Sequence, residues 1–189
     1  MKRKIKKRNR GIRRLSVLLS LLLLLSAGAY VLYGRLFPMD HEEKVTAYAE
    51  EYGVDPFLVY AVIHTESRFI EDAVSPAGAI GLMQVTPDTG AFIADRLKMP
   101  SFTEEMLKDP DTNIRMGTYY LSYLKENFPR VETQLAAYNA GPNRVAAWLQ
   151  DEGISDGEIL TNIPFEETRN YVERVLQREK IYRILYFYK

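Results

Sequence analysis

The sequence predicts an all-α domain behind a single apolar N-terminal helix. Three observations carry this. Helix-start signals of the Asp-Pro or Thr-Pro type recur along the chain. The apolar residues between them follow the three-and-four spacing of a helix face. Alternating strand patterns are nearly absent. Asp40 is a plausible cap for a first helix running to Tyr52, where Gly53 stops it. Asp55-Pro56 starts a second, ending near Ser67; Asp caps it, and proline occupies the first helical position, where its missing N–H costs nothing. Thr86-Pro87 repeats the signal for a helix to about Lys98. Asp111 precedes the apolar-periodic run Ile114, Met116, Tyr119, Tyr120, Tyr123 and Leu124, which closes near Phe128-Pro129. Further helices fit Val131–Asn139, Asn143–Gln150 and Glu166–Tyr188. The glycine-rich stretch Ser75–Gly81 is the one place where irregular or short β structure is expected.

The N-terminus divides into a basic leader, residues 1–14, and an apolar segment, residues 15–35. The leader carries nine Lys or Arg and no acid. Leu15–Tyr33 is an uncharged, leucine-rich run of 19 residues between Arg14 and Arg35. A helix of that length nearly matches a ~30 Å hydrocarbon layer. Cations before the span stay in the cytoplasm, which puts residues 36–189 outside the cell membrane as a single-pass, extracytoplasmic domain. The alternative is a cleaved signal peptide, since Ala27-Gly28-Ala29 has the small-x-small form of a cleavage site. Tyr30-Val31-Leu32-Tyr33 extends the apolar run past that point and favours an anchor.

The formal net charge of zero conceals a division. Ten of the 25 basic residues precede Leu36, leaving fifteen against all 25 acids, a formal −10 on the remaining chain. Such a surface repels phosphate backbones and argues against nucleic acid as a partner. The chain has no cysteine, which removes disulfides, thiol nucleophiles and thiolate metal sites.

Glu66 closes the Pro56–Ser67 helix. There the negative end of the helix dipole and apolar neighbours such as Val62, Ile63 and Phe69 both disfavour a charged carboxylate. A raised pKa is what a general acid requires near neutral pH. Taken alone, the segment is read by default as a solvated glutamate at a helix end, as most glutamates are. Ser75 to Gln84 runs from small and flexible to abruptly apolar and ends in an amide with donor and acceptor capacity. Ala137-Tyr138-Asn139-Ala140-Gly141-Pro142 sets Tyr138 and Asn139 at a helix end, and Tyr171 lies one turn into the last helix. Turn chemistry, a capping asparagine and a core tyrosine account for each equally well when taken singly. Together they supply the amides, hydroxyls and aromatic faces that bind sugars.

Glu66-Ser67, Gly81-Leu82-Met83-Gln84, Ala137-Tyr138-Asn139-Ala140-Gly141 and Ile163 to Val172 resemble, in order, the four motifs of the soluble lytic transglycosylase family. Asp109-Pro110 to Gly117 resembles its linking segment. The similarity covers roughly residues 42–185. It implies a lysozyme-like α-helical domain that binds peptidoglycan glycan strands. Glu66 would be catalytic, and Ser75, Gln84, Tyr138, Asn139 and Tyr171 would line the substrate cleft. Ser67 would steady the helix end, and no metal or other cofactor is implied. His41 and His64 match no family role, and His64 lies on a different helix face from Glu66. Most glycosidases use two carboxylates; Glu71, Asp72 and Asp88 are near in sequence but match no motif and are expected to be surface charges. The family mechanism has one carboxylate protonate the oxygen between N-acetylmuramic acid and N-acetylglucosamine. It then deprotonates the sugar's 6-hydroxyl, giving a 1,6-anhydromuramyl end. A hydrolytic lysozyme on the same fold and a silent wall-binding module are the alternatives.

Overall fold

Proline sets where four of the helices begin. In the computed structural model, which describes residues 2–187 (with side chains at residue 13 and from residue 16 onward), Pro56, Pro87, Pro110 and Pro142 each occupy the first turn of a helix. Asp55 accepts from Phe57 N, Thr86 from Thr89 N and Asp109 from Thr112 N, so three of these starts carry a side-chain cap as well. The helices are α1 (Lys2–Leu36), α2 (Glu42–Tyr52), α3 (Pro56–Glu66), α4 (Pro87–Arg96), α5 (Pro110–Asn127), α6 (Val131–Ala140), α7 (Pro142–Leu149) and α8 (Glu166–Leu185).

The chain forms two units, Met1–Pro38 and Met39–Lys189. The first is α1. Its Ser16–Leu36 stretch is 21 residues long and apolar enough to cross a membrane, and its leucines are exposed on every side. The charged side chains expected for the leader, apart from Arg13, lie outside the described residues.

In the second unit α3 is the central element. Leu58 through Ile63 are buried consecutively, so this helix is enclosed rather than amphipathic. It packs along α8 and against α2; α5 lies on α2, α4 and α6, and α6 joins α8 and α7. Each large aliphatic side chain enclosed here, such as Leu82, Ile93, Ile114 or Leu135, stabilises the fold by ~1.5–3 kcal/mol. Among the described residues β structure is limited to isolated antiparallel bridges, Val74–Ile80, Ile80–Val85 and Ser155–Leu160, the first two in and beside the glycine-rich stretch expected to be irregular.

The structure moves several element boundaries. Asp40 does not cap α2: His41 holds that position in a left-handed conformation, and its side chain makes no capping bond. Asp109, not Asp111, caps α5; Asp111 falls in the first turn and accepts from the Tyr48 hydroxyl at 3.0 Å. α4 stops at Arg96, and Lys98 turns left-handed (φ 53°). α8 stops at Leu185 rather than continuing toward Tyr188, which itself lies outside the described residues. A 3₁₀ turn over Glu104–Lys108 was not legible in the periodicity, being too short to show one.

Candidate active site

Glu66 is the last residue of α3, and the chain behind it is held in an unusual path. Arg68 and Phe69 both have positive φ (53° and 65°), a conformation that costs non-glycine residues energy and concentrates where a site requires it. The Ser67 hydroxyl, buried, lies 2.8 Å from Leu82 O and 3.2 Å from Ile63 O, tying the helix end to the loop that follows Gly81. Ser67 steadies the helix end as its position implied.

That loop has three further supports. Asn113 of α5 is fully buried. Its Oδ1 accepts from Met83 N at 2.7 Å, and its Nδ2 donates to Ile80 O at 2.9 Å and Leu107 O at 2.7 Å. The Tyr138 hydroxyl donates to Met83 O at 2.8 Å. Gln84, itself at φ 49°, donates from Nε2 to Gly81 O at 2.8 Å and Ala73 O at 3.1 Å. Close packing makes two glycines obligatory. A Cβ on Gly81 (φ +78°) would strike the Asn113 amide and Leu107 O, and one on Gly117 would strike the Met83 sulfur.

The carboxyl of Glu66 is brought together with two phenols. Glu66 keeps partial exposure, yet loss of solvent around the carboxyl is the largest influence on it and pushes its pKa up to about 7. Tyr171 and Arg174 act in the opposite sense, favouring the charged form, and do not offset the burial. The Tyr171 hydroxyl faces the carboxyl closely enough to interact with it but short of a well-aligned hydrogen bond, and it is buried without another partner. Tyr138 is raised well above the usual phenol range, by burial first and by the Glu66 charge second. Both phenols therefore stay protonated donors.

The remaining predicted residues have much of their hydrogen bonding already used. Asn139 Oδ1 accepts from the Thr168 hydroxyl at 2.8 Å, which ties α6 to α8 beside Tyr138. Gln84 has both amide protons on loop carbonyls, leaving its oxygen as acceptor rather than the donor and acceptor its sequence position suggested. Ser75 is not joined to Glu66 by any hydrogen bond or charge interaction among the described residues; its hydroxyl accepts from Ala79 N at 3.0 Å within its own turn. Among the described residues no carboxylate acts on Glu66: Glu71 is exposed and lies 3.1 Å from His41 Nε2, and Asp72 and Asp88 are exposed. His64 is neutral near pH 7, held down to about 4 by burial and by Arg178 and Arg68.

Beyond the trio, Tyr120 packs its ring 5.4 Å from that of Tyr138 and lines a concavity of about 270 Å³ with Asp88, Phe92, Tyr123 and Pro142. A larger concavity of about 450 Å³ lies at the far end of α3, between Asp55, Lys125 and Glu179. That is roughly 16 Å along the helix from Glu66 and outside its chemistry.

Residues 43–160 match the family model of the transglycosylase SLT domain. The chain belongs to that family. The soluble lytic murein transglycosylase of Escherichia coli K12 is 36% identical over 154 residues, covering 78% of this chain and 23% of that protein. Membrane-bound lytic murein transglycosylase C of Serratia proteamaculans is 29% identical over 191 residues, covering 84% of this chain and 53% of the other. The crystal structure of the 70-kDa soluble lytic transglycosylase of Escherichia coli aligns with a TM-score of 0.73 at 35% identity, over 80% of this chain and 25% of that one. An inactive glutamate-to-glutamine mutant of the lytic transglycosylase Slt of Pseudomonas aeruginosa aligns with a TM-score of 0.69 at 39% identity, over 78% and 24%. The chain thus spans about a quarter of the soluble relatives it matches. Asn113, which holds the SLT-domain loop from α5, is the residue that sequence reasoning missed. It sits in the Asp109–Gly117 linking segment, and an asparagine amid the apolar stripe of a helix was the available signal.

Proposed function

We propose that the domain is a peptidoglycan lytic transglycosylase that cleaves the β-1,4 bond between N-acetylmuramic acid and N-acetylglucosamine. The observation that carries this reading is a single carboxyl, poised near pKa 7, with two phenols beside it and, among the described residues, no second carboxylate acting on it. Protonated Glu66 donates to the glycosidic oxygen as the bond to C1 breaks. The substrate's N-acetyl group stabilises the cationic sugar, as in the substrate-assisted exceptions to two-carboxylate catalysis. Ionised Glu66 then accepts the proton of the 6-hydroxyl as that oxygen attacks C1, and the 1,6-anhydromuramyl end forms without water. Tyr171, with no other hydrogen-bond partner, donates to the bound sugar; Tyr138, its proton held on Met83 O, offers its hydroxyl oxygen as an acceptor, Gln84 its amide oxygen and Asn139 its amide nitrogen. Ser75 shapes the turn that borders the cleft. The name of the Pseudomonas aeruginosa relative, an inactive glutamate-to-glutamine mutant, is consistent with one essential glutamate.

We also place the enzyme at the cell membrane. α1 would be a single-pass anchor, with the SLT domain on the extracytoplasmic side against the glycan strands.

Mass analysis of peptidoglycan digests tests the chemistry. The native chain should release 1,6-anhydromuramyl ends, and Glu66→Gln should lower turnover by at least ~10²-fold, the scale of a lost general acid. Reducing ends alone would make the protein a hydrolase. Full loss of activity in Glu71→Gln, Asp72→Asn or Asp88→Asn would restore a second carboxylate.

A further inference from the structure

Three arginines gather beside Glu66 in a domain whose formal charge is otherwise strongly negative. Tyr171, Arg174 and Arg178 recur at intervals of three and four along α8 and so share one helix face. Arg178 donates from Nη1 to Thr65 Oγ1 at 3.0 Å, one residue before Glu66, and Thr65 Oγ1 in turn lies 2.7 Å from Ala61 O. Arg68 leaves the end of α3 two residues after Glu66, turned by its positive φ. Arg174 acts on Glu66, and Arg68 and Arg174 both repel the charge of Arg178, which is half-buried.

None of the three forms an ion pair among the described residues, although other cations of the domain, Lys44, Lys108, Arg130 and Arg183, do. One cation is enough to complement the negative end of α3. Arg178 is opposed first by its burial and then by Arg174 and Arg68, with no ion pair among the described residues to offset it; this works against folding, and such a broken local rule marks a site that binds something. Guanidinium groups match carboxylates through paired N–H donors.

We propose that Arg68, Arg174 and Arg178 form a carboxylate-binding subsite that recognises the muramyl residue of the strand next to the scissile bond. This rests on the transglycosylase reading. N-acetylglucosamine carries no carboxylate, whereas the muramyl lactyl ether ends in one, or in a peptide stem with carboxylates of its own. Arg68 and Arg174, both exposed, contact the ligand; Arg178, held on Thr65, is a positioning residue.

Binding separates this from catalysis. Full-length Glu66→Gln protein in detergent is titrated with three ligands. These are strands bearing peptide stems, strands stripped by an amidase that frees the lactyl carboxylate, and chitin oligosaccharides. Adding Arg68→Gln and Arg174→Gln should raise Kd on the order of 10-fold or more for a carboxylate-bearing strand and leave chitin binding and the unfolding midpoint unchanged. A loss confined to stem-bearing strands assigns the stem carboxylates, and a loss on stripped strands assigns the lactyl group; Arg174→Lys should restore part of either. Equal weakening on all three ligands, no weakening, or no binding to any carboxylate-bearing strand overturns the proposal. Because no turnover is read, failure of the native chain to make anhydro ends would leave this result standing.

Discussion

At the residue scale the proposed chemistry depends on keeping one carboxyl protonated at neutral pH, and that has a thermodynamic consequence. The Glu66 carboxyl titrates near 4.5 when unfolded and near 7 when folded. The folded state therefore binds the extra proton between those values. The stabilisation this gives is fully present below about pH 4.5 and is lost as pH rises through 7. Removing the titration with Glu66→Gln should raise unfolding free energy relative to the native chain at pH 8, and by little at pH 4. A gain of ~1–3 kcal/mol at pH 8 is expected after allowing for the partial exposure of the carboxyl. Urea unfolding at the two pH values measures it, and equal stability at pH 8 would mean that the carboxyl is better solvated than the structure implies. Activity should follow the same proton in the opposite direction to a general base. kcat should fall on the alkaline side of about pH 7, where the acid form is lost. The raised pKa was legible in direction, since Glu66 ends a helix among apolar residues. The identity of its partners was not, because Tyr138 and Tyr171 reach it from helices far along the chain.

At the element scale the site is a junction of three helix ends and one loop. The helix starts were legible because Asp55, Thr86, Pro56, Pro87 and Pro142 act locally, through caps and fixed φ. Their failures were also local: Asp40 and Asp111 had the right chemistry one residue or two away from where the chain turns. What the sequence concealed is the cross-chain bonding of the loop from Ile80 to Gln84. Asn113 serves it from thirty residues away, and only the folded chain shows that its amide satisfies Met83 N, Ile80 O and Leu107 O together. Asn113→Leu would leave two buried backbone groups, Met83 N and Leu107 O, unpaired, each costing ~1–3 kcal/mol, while Ile80 O would keep only its bond from Val85 N. We expect a large fall in stability. In the surviving folded fraction we expect weaker substrate binding, since Tyr138 and Gln84 take their places from the same loop. Asn113→Asp, which retains the acceptor, should recover part of the stability. Denaturant titration of the two variants against the native chain decides the matter, and near-native stability of Asn113→Leu would show that the loop holds without it.

At the scale of the whole molecule two solvents are implied. The SLT domain buries its aliphatic side chains inside a helical core and bears the acidic surface, whereas α1 turns Val17, Leu18, Leu19 and Leu21 through Leu25 outward. In water each of those side chains forgoes ~1.5–3 kcal/mol of burial, and its Ser16–Leu36 stretch has the length that a hydrocarbon layer demands. The intact chain should therefore sediment with membranes and resist extraction by high salt and by alkaline carbonate. It should enter solution only with detergent. A chain beginning at Met39 should be recovered from the soluble fraction, still helical and with the same unfolding midpoint, because the buried apolar side chains named for the SLT domain all lie beyond Met39. Orientation is a separate outcome of the same preparation. With nine basic residues ahead of the span, protease added outside intact spheroplasts should degrade the domain and spare the leader. Protection of the domain from that protease would reverse the topology. Recovery of a soluble mature form starting near Tyr30 would replace the anchor with a cleaved signal at Ala27-Gly28-Ala29, and the domain would then diffuse freely rather than stay tethered.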